Sequence, residues 1–114
     1  MKDAARSDRE ALKHILEAGR NILEFAADGE DTFLEDRRTR AAIEREFEII
    51  GEATKRLSAA TRNAEPELPW SQVARFRDFL IHGYDRVTPD VVWNVIKQHL
   101  PKFLAGIERQ LGKP

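Results

Sequence analysis

The chain has 114 residues, 41% of them hydrophobic and 34% charged, with no cysteine and a formal charge of −1. That balance sets it apart from disordered, collagen-like and disulfide-framed chains and predicts one folded domain over residues 1–114, resident in the cytoplasm. No apolar run approaches the roughly 20 residues that span a bilayer, the charged start from Met1 to Glu10 is no secretory signal, and the near-neutral charge gives no global pull toward polyanions.

Leu12, Ile15, Leu16, Gly19, Ile22, Leu23 and Ala26 recur at spacings of three and four, which predicts a first helix over residues 7–27 with one buried stripe. Asp28-Gly29-Glu30-Asp31-Thr32 breaks it, because Gly29 tolerates a left-handed backbone and the acids suit a following helix start. Ile43, Phe47, Ile50, Thr54 and Leu57 mark a second helix, starting between residues 32 and 36 and ending near 60. The polar stretch 61–69 carries two prolines and reads as a loop. Pro69 then opens a third helix whose apolar face runs through Trp70, Val73, Phe76, Phe79 and Leu80, with Gly83 ending it.

Thr88-Pro89-Asp90 starts the last helix: a capping hydroxyl, a first-turn proline, and an acid at the positive end of the dipole. Its stripe is Val92, Val95, Ile96, Leu100, Phe103, Leu104, Ile107 and Leu111, and Pro101 must kink it or split it into two shorter helices. No segment alternates with period two. The expected fold is therefore all-α, an antiparallel bundle of four to five helices.

The residues that usually carry metal or nucleotide chemistry are missing. There is no glycine-rich phosphate loop, no His-Glu-x-x-His helix, no EF-hand loop and no nucleophile elbow. His14, His82 and His99 fall on three different helices, so no metal site and no cofactor are expected. His14 and His99 read as partly buried, hydrogen-bonded structural residues. Positive charge comes mostly from arginine, in Arg37, Arg38, Arg40 and Arg45, then Lys55 and Arg56, then Arg75, Arg77 and Arg86; the planar fork suits phosphate oxygens, but composition alone favours a solvated face in local ion pairs.

One segment stands out, residues 75–86, where Arg77, Asp78, His82 and Tyr84 surround an apolar centre. At about 100° per residue, His82 lies roughly 40° from Asp78 but about 140° from Arg77, so Asp78 can touch His82 whereas Arg77 and His82 diverge. A twofold dimer lined by this helix would bring an arginine and a histidine from two copies together. The alternative is structural: Arg77 pairs with a carboxylate, His82 caps the helix end and Tyr84 packs beside it. On the second helix, Glu44, Glu48 and Glu52 share one edge, which needs opposing cations. Glu52 could orient Arg77 or His82, or these glutamates could pair with Arg40, Arg45 and Arg56.

Arg77, four residues, His82, one residue and Tyr84 form a motif that resembles that of the HepT-like toxins, a branch of the HEPN superfamily of helical domains. The resemblance extends over nearly the whole chain, through Phe47-Glu48-Ile49-Ile50-Gly51-Glu52-Ala53, Leu68-Pro69-Trp70, Thr88-Pro89-Asp90-Val91-Val92-Trp93 and Leu100-Pro101. It departs at Asp78, where such proteins often carry Asn. The resemblance implies a single HEPN-like domain acting as a homodimeric, metal-independent endoribonuclease, with Arg77 and His82 catalytic and Asp78 and Glu52 supporting. It also implies a partner antitoxin, an MntA-type nucleotidyltransferase that silences the toxin by attaching AMP to Tyr84. Its alternative is a non-catalytic HEPN-type module that binds a nucleotide or a nucleotidyltransferase.

Overall fold

The computed structural model describes residues 2–82 and 88–112. Within them the chain forms seven helices and no strand: α1 (Lys2–Phe25), α2 (Glu30–Glu35), α3 (Arg37–Lys55), α4 (Ala59–Asn63), α5 (Trp70–His82), α6 (Pro89–Gln98) and α7 (Leu100–Leu111). The all-α bundle expected from the apolar spacing is present, with α3 packed between α1 and α5, α7 covering α1 and α6, and α2 bridging α3 and α6. Ile15 and Ile22 of α1, Phe33 of α2, Ile43 and Ile50 of α3, Ile96 of α6 and Ile107 of α7 are buried at the centre. Leu23, read as part of the first stripe, is 40% exposed. None of the described helices is long and apolar enough to cross a membrane.

The predicted second helix is α3, which starts after Asp36 and stops at Lys55, short of the expected end near 60, and the segment before it carries a short helix of its own, α2. Gly29, at φ 97°, turns the chain in a backbone region that side chains rarely adopt, and Glu30 and Asp31 occupy the first turn of α2. Phe33 anchors this short helix beside Trp93, ring centroids 5.2 Å apart. Asp36 then takes an extended conformation and starts α3: one carboxylate oxygen accepts from the Arg38 N–H at 3.0 Å, the other from the Thr39 hydroxyl at 2.8 Å. From α3, Arg40 donates back to the carbonyls of Phe33 and Leu34, satisfying the end of α2.

Helix α4 spans the expected end of the second helix and the start of the predicted loop 61–69, and tertiary bonds hold it in place. The Asp8 carboxylate of α1 accepts from the Ser58 N–H at 3.0 Å, the Ser58 hydroxyl at 2.5 Å and the Thr61 hydroxyl at 2.6 Å. Trp70 donates its indole N–H to the carbonyls of Arg62 and Glu65, and Gln110 donates to that of Thr61. Burial of Asp8, 7% exposed, opposes ionisation, but the bonds from Ser58 and Thr61 and the nearby Arg62 outweigh it and hold the carboxyl below its ordinary value. A depressed acid stabilises the fold above the unfolded pKa of about 3.9 and loses that contribution as pH falls through the folded value. Asp8→Asn should therefore cost about 1–3 kcal/mol at pH 7, and thermal melts should show the gap from wild type closing as pH drops below 4.

The break at Pro101 takes the form of two helices. His99 departs from helical geometry, at φ −120° and ψ −39°, and Pro101 sits in the first turn of α7, where its missing N–H costs nothing. Thr88 does occupy the cap position before α6, but its hydroxyl makes no capping bond. His14 and His99 are exposed rather than partly buried, and His14 Nδ1 lies 3.4 Å from the Arg56 guanidinium.

Candidate functional site on α5

Helix α5 buries little of itself. Trp70 and Leu80 are its buried residues, Phe76 meets Phe47 of α3 edge-on at 5.2 Å, and Phe79 is 40% exposed. It leans chiefly on α3, and the two helices come close at Gly51 and Arg77. A Cβ added to Gly51 would lie 2.1 Å from the Cβ of Arg77, 2.7 Å from its Cγ and 3.4 Å from its Cα. Only glycine lets the two backbones come this close, so the Gly51 of the helix 2 sequence block is a seat for the Arg77 stem.

That seat holds Arg77 in a defined posture. Its side chain is 25% exposed, and Nη1 donates to Asp78 Oδ1 at 3.1 Å. Its Nε is buried without a hydrogen-bond partner. The same Asp78 oxygen accepts from Lys55 Nζ of α3 at 2.5 Å. Hydrogen bonds from Lys55 first, then Arg77, keep the Asp78 carboxyl below the usual carboxylate range, so it stays an anion between two cations. Lys55, Arg77 and Asp78 together carry a net charge of plus one.

His82 ends α5 as an exposed residue and makes no hydrogen bond or ion pair among the described residues. Five residues beyond Arg77, it leaves the helix about 140° around from it. Asp78, expected near His82, is placed on Arg77 and Lys55 instead. Glu52 is exposed and forms no hydrogen bond or ion pair with Arg77 or His82. On the same edge, Glu48 pairs with Arg45 at 3.6 Å, and burial pushes the Glu44 carboxyl up, against the pull of Arg40. Tyr84, with Gly83 and Arg86, lies outside the described residues. Lys55 is the residue that sequence reasoning left among the general basic charge; a lysine one helical turn beyond Gly51 was the available signal.

An apolar cavity of about 240 Å³ is lined by Phe47 and Ile50 of α3, Val73 and Phe76 of α5 and Leu100 and Phe103 of α7 among others, and neither Arg77 nor His82 lines it. Among the described residues no group of three or more His, Asp or Glu side chains could hold a metal ion. The chemistry on offer is that of a fixed guanidinium and a free imidazole. The first can stabilise an anionic phosphate and the second can carry a proton, but the helix directs them to different sides.

The family model for ribonuclease HepT-like proteins matches residues 15–109. The chain is similar to a Thermococcus cleftensis protein named "Probable ribonuclease HepT", 40% identical over 106 residues, which cover 91% of this chain and 96% of that one. It is similar to a candidate RNase of Methanocaldococcus jannaschii, 38% identical over 101 residues, 88% of this chain and 84% of the relative. A candidate RNase of Caldanaerobacter subterraneus is 31% identical over 109 residues, 95% and 97% of the two chains. No solved structure matches.

Proposed function

This chain belongs to the ribonuclease HepT-like family, and we propose that it is the metal-independent endoribonuclease toxin of a toxin–antitoxin pair, working as a homodimer. The observation that carries this reading is the divergence of Arg77 and His82 on one short helix, about 140° apart, with Arg77 half-buried against α3 and His82 exposed at the helix end. A second copy of α5 across a twofold axis supplies the missing half, so that one subunit's guanidinium and the other's imidazole face the same phosphate.

In that cleft the RNA 2′-hydroxyl attacks the adjacent phosphorus, the new P–O2′ bond forms and the P–O5′ bond breaks. His82 serves as general base or general acid, taking the 2′-proton or returning one to the departing 5′-oxygen. Arg77 offsets the extra negative charge of the five-coordinate phosphorus, a task for a cation that is already in place. Asp78 and Glu52 have supporting roles, Asp78 as the anion that holds Arg77 and Glu52 as an acid near the cleft once two subunits meet. The products are a 2′,3′-cyclic phosphate and a 5′-hydroxyl.

The antitoxin is an MntA-type nucleotidyltransferase that silences the nuclease at Tyr84, two residues beyond His82. The phenol oxygen attacks the α-phosphorus of ATP, loses its proton, and pyrophosphate departs. The attached AMP then fills the cleft mouth and repels the RNA backbone.

One assay tests both steps. Purified protein in excess EDTA is expected to cut single-stranded RNA into fragments with cyclic-phosphate ends. Protein first incubated with the nucleotidyltransferase, Mg²⁺ and ATP is expected to gain one AMP per Tyr84 and to stop cutting. Intact RNA in EDTA with cleavage restored by Mg²⁺ refutes metal independence, and a mass gain that persists in Tyr84→Phe refutes the modification site.

A further inference from the structure

We infer that Lys55 is a positioning residue for RNA cleavage, acting through Asp78 to fix the guanidinium of Arg77. The inference rests on the nuclease reading above and deepens it. Three contacts locate Arg77: Gly51 receives its stem, Asp78 Oδ1 takes its Nη1, and Lys55 holds that same oxygen from α3. Without Lys55, Asp78 has no tie to α3, and its carboxylate and Arg77 can swing together as neighbours on a half-exposed helix face. The buried Nε makes no bond that would replace the lost anchor.

The pair is poorly placed to serve stability. Lys55 and Asp78 side chains are 41% and 45% exposed, and exposed ion pairs contribute little to folding. Its value lies in geometry, since a catalytic group displaced by about 1 Å can lose up to about 100-fold in rate.

The test is steady-state cleavage of one RNA by Lys55→Met, Lys55→Arg, Asp78→Asn and the Lys55→Met/Asp78→Asn double variant. Lys55→Met is expected to lower kcat about tenfold with KM and the melting temperature nearly unchanged. Lys55→Arg, able to reach the same oxygen, is expected to restore most of the rate. The double variant is expected to be no slower than the slower single one, because both act through one chain of contacts. A raised KM with kcat preserved, steepening with salt, would show that Lys55 grips an RNA phosphate directly and would overturn the inference, as would an unchanged kcat. If the wild-type protein leaves the RNA intact the nuclease reading itself falls, and if Arg77→Ala cuts at the wild-type rate the catalytic role of Arg77 falls; if Arg77→Ala is inactive while Lys55→Met is fully active, only the role of Lys55 does.

Discussion

Gly51→Ala is expected to lower RNA cleavage about 100-fold and to destabilise the fold by about 1–3 kcal/mol, although alanine is the better helix former by roughly 1 kcal/mol. The added methyl would sit 2.1 Å from the Cβ of Arg77 and 3.4 Å from its Cα. Those atoms belong to the root of the side chain and the backbone, so no rotamer change relieves the contact. Helix α5 as a whole must move off α3, carrying Arg77 away from its place and stretching the Lys55–Asp78 contact. Thermal unfolding and cleavage measured on the same preparation check this. A variant that matches wild type in both would show that α3 and α5 do not approach closely at this point.

This glycine illustrates how far the sequence could be read. The stripes of α1, α3 and α7 were legible because burial on one side of a helix imposes a period of three to four that survives in the residue order. The short helix α2 ahead of Asp36 was not, since six residues carry no apolar period of their own and its end is set by the side-chain cap at Asp36. Helix α4 was hidden in a proline-bearing stretch because its anchor, Asp8, is 50 residues away from Ser58.

The site divided in the same way. Arg77 and His82 were visible by residue type and spacing, whereas the bridge from Lys55 to Asp78 depends on how α3 and α5 lie against each other, which the glycine seat determines. Helical angles alone placed Asp78 near His82. The structure puts it on two cations, because a lysine from α3 and the adjacent arginine both reach the same oxygen, while His82 ends the helix in solvent.

Arg77→Ala and His82→Ala are each expected to lower cleavage by about 100- to 10,000-fold, the range for losing a transition-state cation or a general acid–base group. Their effects on stability should differ. His82 is exposed and free of described hydrogen bonds, so its loss should leave the melting temperature where it was. Arg77 packs its stem on α3, so its truncation should lower stability modestly, even as it removes a buried N–H that had no partner. Arg77→Lys keeps the charge and discards the planar fork, and it should remain closer to the alanine variant than to wild type. Full activity in a folded variant of either residue would refute its assigned role.

The two inactive variants also make the most direct measurement of the central claim, that an arginine from one subunit and a histidine from the other serve one phosphate. Refolded together in equal amounts, Arg77→Ala and His82→Ala chains form mixed dimers that keep one intact pair across the axis, and cleavage should return to about a quarter of the wild-type rate. A mixture as inactive as its two components, with mixed dimers demonstrably present, would contradict it.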